Sequence, residues 1–303
     1  MRIQWNPIIK KDLRVAARSM RMSWGLFAYE AVLLLAFLLA LAVIQADSQS
    51  IYTDGNIYAR LISLFPVTAI AQVCIVTMIM PILTASAISG ERERQTLDIM
   101  LTTCMSPLSI VLGKVGSAVV HILFFVMAGM PIMALSFVFG GLGRMNLLWF
   151  VLAIILLAVV AGSVGIFCSA ICRKTITAVI LSYVFYFVFG VLTGVPILIR
   201  AALSQWETVG DSMLFLLFNP IVFFEEFFMQ IMTNESLFGG EQHVFDRGDV
   251  GFLTYNLAQG KLWMLLSAVC LLAVALLFLF GAAWMVNPMH SAAGRKSRGK
   301  RAK

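Results

Sequence analysis

Between Leu61 and Gly90 the sequence carries no charged residue, and between Val115 and Gly143 it again carries none. About 20 apolar residues in an α-helix cross the roughly 30 Å of bilayer hydrocarbon. A helix also satisfies its own backbone hydrogen bonds where no water can. Six such runs are legible: about Gly25–Gln45 (Glu30 its only charge), Leu61–Gly90, Val115–Gly143, Met145–Cys172, Thr175–Ile199 and Leu262–Val286. With flanking residues they predict spans at about 24–45, 61–89, 108–139, 146–172, 175–199 and 261–286. A shorter run of 13 residues, Ser212–Phe224, suits an interfacial or re-entrant segment. The expected fold is therefore an all-α integral membrane protein. Composition agrees, with 12% charged residues where a soluble domain has about 25%. The first run follows a basic segment but exceeds the 7–15 residues of a signal-peptide core, roughly, and no small-x-small site follows in Val43–Ser50. It is expected to be an uncleaved span.

Orientation follows from the 22 Lys and Arg residues, which concentrate on the cytoplasmic side of membrane proteins. The N-terminal segment holds Arg2, Lys10, Lys11, Arg14, Arg18 and Arg21. Arg92, Arg94 and Lys114 lie between the second and third spans, Arg173 and Lys174 between the fourth and fifth, and six more in the tail 287–303. These 17 face five on the other side: Arg60, Arg144, Arg200, Arg247 and Lys261. Both termini are expected in the cytoplasm. The long fifth connection, 200–260, is expected outside and is acidic. The basic inner face suits anionic lipid headgroups, and no nucleic-acid partner is expected.

The five cysteines lie in spans or on the inner side, so no disulfide framework is implied. Cys168 and Cys172 share a helical face without a further metal ligand nearby, which fits packing. At the N-terminus, Asn6-Pro7 starts a helix. Ile9, Leu13, Ala16, Met20 and Trp24 line one face, and Lys11, Arg14, Arg18 and Arg21 the other, a pattern suited to the membrane interface. Residues 1–23 are thus expected to form a cytoplasmic amphipathic helix.

The segment "SGERERQTLDIMLTTCMSPLSIVLGK", Ser89–Lys114, interrupts two apolar runs with Glu91, Arg92, Glu93 and Arg94. From Glu91 it can run as a helix of about three turns, over 91–104, closed by Ser106-Pro107. Leu97, Met100 and Leu101 fall at i, i+3, i+4 to form an apolar face, and Lys114 can snorkel to the interface. A plain turn between spans needs none of this. The pattern suits a docking element for a soluble partner.

This stretch resembles the characteristic segment of permease subunits of type-2 ABC transporters, the ABC-2 exporters, in which "GERE…TLE" is followed by "LLTTPLSP…ivlGK". Cys104-Met105 stands where proline or another residue is commonplace. "NPIIKKDLR" at the N-terminus and six spans with a long fifth connection are similar too. The resemblance implies that Glu91–Leu101, including Thr96, couples to an ATP-binding subunit as a coupling helix, and that Pro7–Met22 is an elbow helix. It implies a second permease copy or homologue completing the path, and a location in the plasma membrane of a bacterium. No Walker A pattern precedes Gly113-Lys114, Gly260-Lys261 or Gly299-Lys300. ATP and magnesium are therefore expected on the partner, with no cofactor, metal or catalytic residue in this chain.

Glu30, in the first span, is placed to pair with Arg92 or Arg94 or to line a pathway. His121, inside the third span, is either a functional group or a neutral histidine bonded to a neighbouring helix. Gly190-x-x-x-Gly194 and Gly165-x-x-x-Ser169 permit close helix approach. "NPIVFFEEFFMQIM", Asn219–Met232, repeats the Asn-Pro helix start and carries Glu225 and Glu226. In ABC-2-like permeases this region forms an outer lid. A secondary transporter or a membrane-embedded enzyme is the alternative function. Only Glu30 and His121 stand inside the spans as ion-coupling candidates, and no catalytic grouping is legible.

Overall fold

The computed structural model describes residues 18–50, 64–96, 107–140, 144–202, 216–232 and 262–286. Among them are seven helices: α1 (Met20–Ser50), α2 (Leu64–Glu93), α3 (Pro107–Gly140), α4 (Arg144–Ile171), α5 (Thr175–Ala202), α6 (Pro220–Met232) and α7 (Leu262–Val286). All except α6 are long and apolar enough to cross a membrane. The six spans stand where hydropathy predicts them, whereas the short helix follows the Asn219-Pro220 start and overlaps the apolar run Ser212–Phe224 only at its end. Helix α1 already begins at Met20, so Met20 and Trp24 lie on the helix that carries the first span, Met22–Gln45, rather than on a separate amphipathic helix. Residues 1–17 of the expected elbow, the tail 287–303, and 203–215 and 233–261 of the outer connection lie outside the described residues.

The chain divides into two compact units. One comprises residues up to Ile180 together with those from Leu277 onward. Its centre is α4, whose apolar stretch is mostly buried where those of the other spans are mostly not. Small residues explain this position. Ala158, Ala161, Ser163 and Ser169 are all buried on α4, and they let α2 approach along the whole length. Phe65 meets Phe150 edge-on at 5.7 Å between ring centroids. Farther along, Met80 lies against Gly162 and Thr84 against Gly165. The Ser169 hydroxyl receives the Ser89 amide at 2.8 Å. The contacts advance together in both sequences, so α2 and α4 run in the same direction. A Cβ at Gly165 would overlap the Thr84 hydroxyl and sit 3.0 Å from Thr84 Cβ. Thus Gly165-x-x-x-Ser169 is a true helix seam. Tyr29, Leu33 and Phe125 pack α1 on α3. Near the Glu93 end, Leu279, Ala282, Ala283 and Val286 of α7 pack with Ile88, Val111, Val115, Ile166 and Ala170.

Hydroxyls along the spans turn back onto their own helices. Thr68 donates to the Phe65 carbonyl at 2.9 Å, and Thr84 to the Met80 carbonyl at 2.7 Å. This satisfies a polar group where no water is available. Gln72 departs from the pattern: it is 1% exposed and both amide atoms are buried without a hydrogen-bond partner among the described residues.

The other unit is Leu181–Leu276. Its core joins Leu216, Leu217 and Val222 to Trp263. Asn219 caps α6 as its sequence predicts, Oδ1 accepting the Ile221 amide at 2.9 Å. Its Nδ2 donates to the Gly190 carbonyl at 3.3 Å. No atom of the described residues would lie within 4 Å of a Cβ at Gly194, so among them the Gly190-x-x-x-Gly194 stripe packs nothing at its second glycine. Along α6 the rings of Phe223, Phe224, Phe227 and Phe228 contact one another. Glu226 is fully buried and accepts a bond from Gln230 at 2.8 Å, while Glu225 is exposed.

Candidate functional site

Glu91, Arg92 and Glu93 do not begin a new helix. They are the last turn of α2, and the helix closes immediately after them. The Gln95 amide donates to the Arg92 carbonyl at 3.1 Å and the Thr96 amide to the Glu91 carbonyl at 3.0 Å. Gln95 has φ of 59°. The paired bonds about one left-handed residue make a Schellman end. A single helix over 91–104 is therefore replaced by a capped stop at Glu93 and a turn at Arg94–Gln95. Leu97, Met100 and Leu101 lie outside the described residues.

The charged side chains of this turn reach three other helices. Arg92 extends past the end of α4, donating through Nη1 to the Cys172 carbonyl at 2.9 Å and through Nη2 to the Ala170 carbonyl at 3.2 Å. Carbonyls in a helix's last turn lack intrahelical partners and carry the negative end of its dipole, so a guanidinium meets both needs. Glu93 performs the converse at the start of α5. Its carboxylate accepts the Thr175 amide and the Thr175 hydroxyl, each at 2.9 Å. An N-cap normally comes from the residue preceding the helix; here it comes from 82 residues away. Glu91 accepts a bond from the Thr96 hydroxyl and forms an ion pair with Lys114 of α3 at 3.3 Å. The Ser169 hydroxyl completes the seam by accepting the Ile88 amide at 3.0 Å. One turn of sequence thus fastens α2 to α3, α4 and α5.

Beside this clamp is a cleft of about 690 Å³, with Glu91, Glu93, Arg94, Lys114, His121 and Thr175 among its lining residues. The His121 Nδ1 lies 2.7 Å from the Ser117 carbonyl of its own helix. A carbonyl can only accept, so Nδ1 carries the proton. His121 is therefore held by its own helix rather than by a neighbouring one. Glu30 forms a pair with neither Arg92 nor Arg94, and its Oε1 is buried without a hydrogen-bond partner among the described residues. Glu225 and Glu226, in the other unit, do not act as a matched pair, since one is exposed and the other buried.

A family model described as ABC-2 family transporter protein matches residues 40–284, from within α1 to within α7, and includes the whole clamp. The chain belongs to that family. It is a multi-pass membrane protein and a transport permease, a transporter component rather than an enzyme, of a family that generally pairs with an ATP-binding subunit. A comparison with curated proteins finds no match.

In this ABC-2 permease, sequence reasoning singled out Glu91, Arg92 and Glu93 but missed what they hold. Thr175, Ser169 and the carbonyls of Ala170 and Cys172 are their partners. Only the placement of Thr175 at the first position after Lys174 carried a signal, as a helix-start residue.

Proposed function

We propose that this chain is the membrane subunit of an ATP-driven exporter. Two six-span units, either copies or homologues, form the substrate path. ATP-binding subunits dock on the cytoplasmic side at the connection between α2 and α3, and supply both ATP and magnesium. The observation that carries this reading is the clamp. A displacement of residues 97–106 passes through Thr96 into a turn whose side chains already grip α3, α4 and α5. A connector that merely reversed the chain would need no such attachments.

The clamp also sorts the charged residues by role. Glu91, Arg92 and Glu93 are spent inside the chain, where they couple motion. The apolar set Leu97, Met100 and Leu101 is left to meet the partner. Helix α6, with Glu225 and Glu226, forms the outer lid. The distribution of Lys and Arg supports an inner location for the clamp and both termini.

Leu97→Asp and Glu93→Ala separate docking from coupling. The first is expected to release the ATP-binding subunit on co-purification, because burying a leucine contributes roughly 1.5–3 kcal/mol and an aspartate has to be desolvated in its place. The second is expected to retain the subunit while lowering transport per ATP hydrolysed. Wild-type retention by Leu97→Asp would overturn the docking assignment.

A further inference from the structure

The cleft beside the clamp has a polar rim and a polar floor, and its side groups differ in how far they are already engaged. At the rim, the two carboxylates are committed, Glu91 to Thr96 and Lys114, and Glu93 to Thr175. The Arg94 side chain is exposed there and has no partner among the described residues. The uncommitted charge of the rim is therefore positive. His121 lies seven residues beyond Lys114 on α3, about 10 Å deeper along the helix axis. With Nδ1 held by Ser117, Nε2 is its remaining polar atom, and it lines the same cleft. Leu83, Ala87 and Ala118 supply apolar wall between the two levels.

We propose that this cleft binds one anionic phospholipid, its phosphate at Arg94 and a hydroxyl of its headgroup donating to the His121 Nε2. Three features select that chemistry. The rim takes an anion, since Arg94 offers planar paired donors that match phosphate oxygens. The floor takes a hydrogen-bond donor such as a hydroxyl rather than a second charge, because with Nδ1 protonated Nε2 can only accept. The separation of about 10 Å and the apolar wall suit an amphiphile and not a small ion. A volume of about 690 Å³ accommodates the headgroup and ester region while the acyl chains continue along the spans. Such a lipid would wedge between α2 and α3 beside the ion pair of Glu91 and Lys114. Its place in the cytoplasmic leaflet rests on the orientation proposed above; its binding does not.

Native mass spectrometry of the delipidated, detergent-purified full chain tests the site whatever its orientation or partner. Phosphatidylglycerol and phosphatidylcholine are titrated in turn, with glycerol 3-phosphate as the soluble source of the same phosphate ester. One phosphatidylglycerol per chain is expected to bind ahead of phosphatidylcholine. Arg94→Gln, at an exposed position where folding is not at stake, is expected to weaken it about fivefold, the effect of one basic residue near an anionic headgroup. His121→Phe is expected to weaken it as well, and millimolar glycerol 3-phosphate is expected not to displace it. Equal binding of the two lipids, or unchanged phosphatidylglycerol binding in Arg94→Gln, would overturn the proposal. Displacement by glycerol 3-phosphate would overturn the lipid assignment in favour of a soluble phosphate ester.

Discussion

Replacing Arg92 by alanine removes two charge-assisted hydrogen bonds, to Cys172 at 2.9 Å and to Ala170 at 3.2 Å. Bonds to charged groups contribute about 1.5–3 kcal/mol each when buried. Arg92 is half-buried, and water replaces part of what is lost, so a net loss of about 2 kcal/mol for the pair is reasonable. That corresponds to roughly thirtyfold in the local opening of the α4 terminus. Cys172 reports on it directly, because it is half-buried and its own carbonyl is one of the two acceptors. In a chain whose other cysteines are replaced by serine, a membrane-permeant maleimide is expected to label Cys172 about thirtyfold faster in Arg92→Ala than in the parent. Arg92→Lys keeps the charge but can satisfy only one carbonyl well, so its rate is expected to fall between. Labelling rates of Arg92→Ala within twofold of the parent would refute the clamp as the element that holds these helix ends together.

The other predictions concern orientation and packing. Single cysteines at Ser48 and Ser236 are expected to react with an impermeant thiol reagent on intact cells and one at Ser297 not to; labelling at Ser297 would reverse the orientation. Gly165→Ala overfills the seam at Thr84 and is expected to lower stability by about 1–3 kcal/mol, read as a fall in the melting temperature. Gly194→Ala, with no atom of the described residues within 4 Å of the new methyl, is expected to leave it unchanged or raise it, and equal losses in both variants would remove the packing account. Gln72→Leu eliminates a buried, unbonded amide that costs about 1–3 kcal/mol; a higher melting temperature is expected, and a lower one would reveal a polar partner for Gln72.

The spans were legible because length and hydropathy decide them without reference to anything distant. The start of α6 was legible for a local reason as well, an asparagine cap before a proline. The end of α2 was not. Glu91 to Gln95 are good helix formers, and the left-handed stop falls on Gln95 rather than on the glycine that usually marks it. The charged motif identified the right place on the chain, but its chemistry is tertiary. Nothing in the spacing of Glu93 indicates that its carboxylate caps a helix 82 residues later. His121 posed the same difficulty, since any carbonyl within reach could hold its ring, and its own helix supplies one.

The left-handed residue at Gln95 is also a corner. The chain leaves α2 through a turn fixed by backbone bonds from Arg94, Gln95 and Thr96 to the carbonyls of Gly90, Arg92 and Glu91. A corner braced in this way does not bend like a hinge. When residues 97–106 are pushed sideways, the braced turn carries the push as torque on the axis of α2. Because that helix is gripped along α4 and at the mouth of α5, the torque tilts a block of helices instead of unravelling one. In the proposed coupling role the braced corner would serve as the crank of the connection, turning a push from a docked partner into a tilt of the helix block.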